Sequence, residues 1–255
     1  MHPLLLTTLA GLSTGLGGLI ALLFRPGEKL LTVSAGFAGG VMLAASLADL
    51  VPGALTFYSA YLPPLGCGAA LVLLLLAGMV VAALLGRLLP DEAELALRLA
   101  GDSARTAALR TALLTGTALL LHNFPEGVLT LFAGTADPAL GWRTTLAIAL
   151  HNIPEGLAVA VPFVFALHSR TLGALAAFLS GLAEPAGAVL ALLFLQRWFT
   201  PGFLNGTVVL VAGVMLWVAL GQLLPAALTG RNRIVGLPGA AAGILLMLLG
   251  IAALP

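Results

Sequence analysis

From Leu4 onward the chain is a succession of apolar runs, each about as long as the 20 residues a helix needs to cross the hydrocarbon core of a bilayer. Breaks of charge, proline and glycine place these runs at approximately 4–24, 31–57, 65–86, 111–134, 141–166, 171–195, 203–228 and 235–254. With 60% hydrophobic and only 8% charged residues, the composition lies far outside that of a soluble domain. Eight spans occupy about 160 of the 255 positions, which leaves room for short connections and no second domain. The expected fold is therefore all-α: one polytopic membrane domain over residues 1–255, with 87–110 as the only connection long enough for structure of its own. The first run lacks a basic leader and exceeds a signal-peptide core, so it is read as the first span.

Eleven basic residues nearly balance ten acidic ones, and Cys67 is the only cysteine, which excludes nucleic-acid binding and a disulfide scaffold. The basic residues are unevenly placed. Arg25, Lys29, Arg87, Arg98, Arg105, Arg110, Arg170, Arg231 and Arg233 fall on one side, Arg143 and Arg197 on the other. Since Lys and Arg accumulate in cytoplasmic loops, both termini are expected outside the cytoplasm. Tyr58, Tyr61, Trp142 and Trp198 would then form an outer aromatic belt, and Trp217 would pack inside. The close pairs Gly11 with Gly15, Gly36 with Gly40 and Gly239 with Gly243 are read as helix packing in lipid.

Four acidic residues fall within spans: Asp49, Glu126, Glu155 and Glu184, with no Lys or Arg beside them. A charged residue at the bilayer centre costs about 2.5 to 3.5 kcal/mol, so four unpaired carboxylates would cost on the order of 10 kcal/mol. Protonation, cavity water or a bound cation must offset this. Two of the carboxylates sit in a repeated pattern, His122-Asn123-Phe124-Pro125-Glu126-Gly127 and, 29 residues later, His151-Asn152-Ile153-Pro154-Glu155-Gly156. On a helix, His and Glu four apart lie about 40° apart around the axis, and the Asn falls within an arc of about 100°. Each copy offers one nitrogen and two oxygen ligands to one side, at mid-depth of its span. Pro125 and Pro154 would free the carbonyls of Leu121 and Leu150, the mark of a kinked helix lining a cavity.

Glu184 is flanked by Ser180, Gly181, Gly187 and Ala188, small enough to let its helix press against spans four and five. Asp49, one turn from Ser46 in the outer part of span two, stands where a cation would enter. Imidazole and carboxylate with amide oxygen and no thiolate suit Zn²⁺, Fe²⁺, Mn²⁺ and Co²⁺, whereas Mg²⁺ and Ca²⁺ favour oxygen alone. The candidate ligands exceed one tetrahedral site, which makes two metal positions bridged by Glu126 and Glu155 reasonable. Two other functions compete. An intramembrane metallohydrolase is disfavoured by the missing HExxH pair and by the surplus of ligands. A proton-coupled carrier of an organic solute explains the carboxylates but not the paired His-Asn patterns.

The two HN-x-PEG patterns, the stretch HNIPEGLAVAVP and the segment SGLAEPAG resemble signatures of the ZIP (Zrt-, Irt-like) family of divalent metal transporters, in particular its bacterial ZupT-like branch. The resemblance implies eight helices in a 3+2+3 arrangement whose outer triplets are related by inverted pseudosymmetry. It also implies a cell inner membrane location, metal uptake toward the cytoplasm, a binuclear site, transport of zinc, iron, manganese, cobalt and cadmium, and a homodimer. By motif position His122, Glu126, His151 and Glu155 would form the transport site, and Asn123, Asn152 and Glu184 the second site, with Glu126 and Glu155 bridging. The chain departs from the family pattern at Gly221-Gln222-Leu223-Leu224-Pro225, where the usual acidic residues are missing, and in the absence of histidine from 87–110.

Overall fold

A computed structural model describes residues 2–24, 27–195, 200–229 and 232–253, except for the side chains of Glu92 and Leu195. Trp198 of the expected belt, and Arg25, Arg197 and Arg231 of the charge count, lie outside the described residues.

The regular structure among the described residues is helical throughout. It comprises α1 (Pro3–Ala21), α2 (Glu28–Ala45), α3 (Val51–Ser59), α4 (Pro64–Leu88), α5 (Glu92–Arg98), α6 (Ser103–Ala136), α7 (Pro138–Leu167), α8 (Arg170–Gly181), α9 (Ala183–Leu190), α10 (Pro201–Val218), α11 (Leu224–Leu228) and α12 (Arg233–Ala253). Single π-turns join α2 to α3 (Ser46–Leu50), extend α9 (Ala191–Leu195) and join α10 to α11 (Ala219–Leu223). Seven stretches are long and apolar enough to cross a membrane: α1, α2–α3, α4, α7, α8–α9, α10–α11 and α12. The eighth long helix, α6, is less apolar because it carries Arg105, Arg110, His122 and Glu126, yet its 34 residues extend about 51 Å.

Helix α6 starts well before the apolar run at 111. Asp102 caps it by accepting from the Arg105 N–H, and the long Arg side chains reach back to backbone, Arg105 Nε to the Ala166 carbonyl and Arg110 to that of Pro90. Basic residues that read as loop therefore belong to the first turns of a helix. Ahead of them α5 is amphipathic: Asp91 caps it, Glu94 pairs with Arg98 outside, and Leu95 packs inward with Leu109 and Ala166.

The helices pack as two groups, α1 with α6, α7 and α8–α9, and α2–α3 with α4, α10–α11 and α12, which meet chiefly where α2 faces α7 and α10 faces α6. Within each group small residues set the spacing: Gly36 and Gly40 lie directly on the backbone of α12 at Gly236 and Ala240, too close for a Cβ. Gly11 likewise lies on the carbonyl of Gly181. That carbonyl is the one four residues before Pro185, and it has no N–H of its own helix to meet.

At Pro125 and Pro154 the helices are not broken, for α6 and α7 run through both prolines as continuous helix. The interruptions fall elsewhere, at Leu182 and at the three π-turns. Two of these turns repeat one pattern, Ser46-Leu47-Ala48-Asp49-Leu50-Val51-Pro52 and Ala219-Leu220-Gly221-Gln222-Leu223-Leu224-Pro225. In each, the N–H just before the proline bonds five residues back, Val51 to Ser46 and Leu224 to Ala219. The pair sits in spans two and seven, which an inverted relation of the outer triplets makes equivalent. Of the aromatic residues, Tyr61 and Trp142 are exposed, Tyr58 is tied to the Gly202 carbonyl at 2.8 Å, and Trp217 packs against the main core.

Candidate metal centre

Asp137 accepts from the N–H groups of Ala139 and Leu140 and turns the chain so tightly that α6 and α7 become antiparallel neighbours. Antiparallel packing reverses the order of the two patterns against each other, so the histidine of one meets the glutamate of the other. His151 Nε2 lies 3.1 Å from Glu126 Oε1, and His122 Nε2 lies 3.5 Å from Glu155 Oε1. His122 Nε2 is also 3.2 Å from Glu126 Oε1 on its own helix. One carboxylate oxygen of Glu126 thus stands between two imidazole nitrogens. His122, Glu126 and His151 each present a ligand atom within 4.8 Å of the others, a separation that a single ion can bridge. The two rings are tilted, with centroids 6.2 Å apart.

The asparagines are oriented by neighbouring helices. Asn123 Nδ2 donates to the Ser180 carbonyl on α8 at 3.1 Å, and Asn152 Nδ2 donates to the Ala10 carbonyl on α1 at 3.1 Å. A carbonyl only accepts, so the amide nitrogens must face these oxygens and Oδ1 of each Asn is left over. Asn152 Nδ2 also donates to Glu184 Oε1, which brings the α9 carboxylate to the same place. Gly187 and Gly127 make that approach possible, the first lying on the Phe124 carbonyl and the second on that of Glu184. Gly181 meets α1 at Gly11 rather than span four or five, where its small size was expected to act.

All seven residues are buried. Asn123 Oδ1, Asn152 Oδ1, Glu126 Oε2, both Glu155 oxygens, Glu184 Oε2 and three imidazole nitrogens have no hydrogen-bond partner among the described residues. An unmet buried acceptor costs about 1 to 3 kcal/mol, and more when it is charged. So many of them in one buried cluster, with no described Lys or Arg beside them, make a donor set suited to a dication.

The two residues expected on the access path part company. Ser46 is fully buried, its hydroxyl directed at the Ala212 carbonyl of α10 at 3.4 Å. Asp49 lines a pocket of about 60 Å³ with Ala147, Leu150, Met247, Gly250 and Ile251, within electrostatic reach of His151 and Glu126. On the opposite side, a cavity of about 410 Å³ opens between the starts of α2 and α6, the end of α7 and α11. On α7 the site residues His151 and Glu155 continue at helical spacing into the cavity walls Ala158, Pro162 and Phe165. Helix α6 shows the same stripe, from Glu126 and His122 back through Thr115 to Thr111, Ala108 and Ala104.

Three buried hydroxyls escaped the sequence reading: Thr14, Thr115 and Thr130 have no partner among the described residues, whereas Thr7, Thr135 and Thr145 bond back to their own helix. Only spacing could have found them, since Thr115 lies seven residues before His122 and Thr130 four after Glu126, on the same face.

Comparison with known proteins places the geometry in context. The profile of the family described as ZIP Zinc transporter matches residues 98–252. The chain is similar to the zinc transporter ZupT of Chlorobium chlorochromatii, with 37% identity over 95% of this chain and 93% of that protein. It is similar to those of Akkermansia muciniphila, 38% identical over 95% and 94%, and Corynebacterium glutamicum, 38% identical over 95% of each.

Proposed function

Because this chain belongs to the ZIP zinc transporter family, we propose that it carries zinc through the membrane its helices span, by way of the His122–Glu126–His151 cluster and Glu155. It is a divalent metal transporter rather than an enzyme, and the metallohydrolase reading falls with that assignment. The observation that carries the site is the convergence, inside two antiparallel helices, of carboxylates, imidazoles and unmet amide oxygens with no basic neighbour.

In this reading the two imidazole Nε2 atoms, Glu126 and Glu155 hold one zinc in the mixed nitrogen and oxygen set that the ion favours. Asn123 and Asn152 through Oδ1, with Glu184 and the same two bridging carboxylates, hold a second. The cation arrives past Asp49 and leaves through the larger cavity. The two helix groups move against each other to alternate access, as repeats do in other carriers. Uptake toward the cytoplasm and external termini are supported by the concentration of basic residues in alternate connections, and an inner-membrane location belongs to the same proposal. Iron, manganese, cobalt and cadmium as further substrates, and a homodimer, belong to the same proposal; the ligand set supports the metals.

The test is uptake of radioactive zinc by vesicles reconstituted with the protein. Glu126→Ala and Glu155→Ala are expected to abolish it, and transport at the parent rate would sink the site.

A further inference from the structure

The cavity through which zinc would leave is electrostatically unfavourable to a cation. Its walls include Leu31 and Thr32 from the first turns of α2, and Ala104, Ala107 and Ala108 from those of α6. Each helix N-terminus carries the equivalent of about half a positive charge. Lys29, Arg105 and Arg110 lie on the same turns. At α6 part of this is offset locally, because Asp102 caps the helix. The N-cap of α2 is Gly27, which has no side chain to do so.

Among the described residues that line the cavity, Glu28 is the only carboxylate and the only charged group. It stands in the first turn of α2, and its Oε2 accepts from Asn232 Nδ2 at 3.4 Å, which holds it beside the start of α12. The span-seven segment supplies no acid here. Leu223, Ala226 and Thr229 face the cavity, whereas Gln222 lies in a separate crevice with Trp217, Gly86, Leu114 and Thr117.

We propose that Glu28 is the release-side carboxylate of this transporter, a positioning charge that draws zinc off the buried cluster into the cavity between α2, α6, α7 and α11. The inference rests on the transport reading above and adds a residue and a step to it. Glu28 does not bind zinc at the midplane. It lowers the barrier to departure by countering the N-terminal charge of α2, and Thr115, whose buried hydroxyl has no partner among the described residues, lies on α6 between His122 and the cavity wall at Thr111.

The experiment measures zinc uptake kinetics in cells expressing the full chain, together with zinc binding by the purified protein. Glu28→Gln is expected to lower the maximal rate about fivefold, leaving the concentration for half-maximal binding unchanged, and Glu28→Asp is expected to restore most of the rate. Glu94→Gln removes the same charge from α5, away from the cavity, and is expected to have no effect. The proposal is overturned if Glu28→Gln transports at the parent rate, if Glu94→Gln slows transport equally, or if Glu28→Gln loses zinc binding and Glu28→Asp fails to rescue. Loss of binding in Glu126→Ala with parent-like kinetics in Glu28→Gln would sink this inference and leave the transport site standing; intact transport in Glu126→Ala would sink the site itself.

Discussion

Gly127 on α6 lies against the backbone of Glu184 on α9 so closely that a Cβ at position 127 would overlap the Glu184 carbonyl. The glycine ending the first HN-x-PEG pattern is therefore what lets a third carboxylate join the two on α6 and α7. Its partner in the second pattern, Gly156, does the same against α1, where a Cβ would overlap the Thr14 carbonyl. Both contacts hold the polar cluster at fixed depth from behind, through helices that carry no part of the repeated pattern.

Gly127→Ala should accordingly force α6 and α9 apart. Overpacking of this kind costs about 1 to 3 kcal/mol, and here it also withdraws Glu184 from Asn152. The expected outcome is a lower thermal midpoint in detergent and zinc uptake reduced well beyond the loss of folded protein. A stable Gly127→Ala protein with parent uptake would show that Glu184 need not sit where it does.

The shared oxygen of Glu126 makes the two pattern glutamates unequal. Glu126 lies within 3.2 Å of both imidazoles, whereas Glu155 approaches only His122, at 3.5 Å. Glu126→Gln is expected to weaken zinc binding by about 100-fold and Glu155→Gln by about 10-fold. Titration of the purified variants by calorimetry reads the order directly, and equal losses would mean that the bound ion sits midway between the two glutamates.

Much of this centre was legible in sequence, for a reason that can be stated residue by residue. His122 and Glu126, and His151 and Glu155, are bound by the period of the helix, and the short turn at Asp137 leaves no other way for their helices to lie. What escaped depended on neighbours distant in the chain. Nothing in Ser180 or Ala10 announces that its carbonyl will orient an asparagine, and nothing in Pro125 says that α6 will continue through it as α-helix while Pro52 and Pro225 sit beside π-turns. Arg105 and Arg110 were misplaced into a loop because hydropathy cannot see an arginine reaching back to a carbonyl. Glu28 lies in the connection between the first two apolar runs and drew no reading from the sequence; only the cavity gives it a role.

Protons should compete with zinc. Imidazole and carboxylate bind metal only when deprotonated, and a free imidazole takes up its proton near pH 6.5. At zinc concentrations well below saturation, uptake is expected to fall as the outside is acidified from about pH 7.5 to about 5.5, and raising zinc should recover most of the rate. Uptake that instead rises on acidification would point to protons as the driving ion for zinc and overturn the expected competition.

The missing acid of span seven provides the sharpest contrast with Glu28. Gln222 and Asp49 occupy the same place in the two π-turn patterns, yet Asp49 lies within reach of His151 and Glu126, while Gln222 looks into the crevice beside Trp217. A carboxylate at 222 would meet Gly86, Leu114 and Ala118 rather than the cavity lined by Glu28, Thr32 and Thr229. Gln222→Glu is therefore expected to leave the maximal rate of zinc uptake within about twofold of the parent, since a charge outside the path neither attracts nor stalls the leaving ion. A severalfold gain in that variant would place the release route on the α4 and α10 side of the bundle and take it away from α2 and α7.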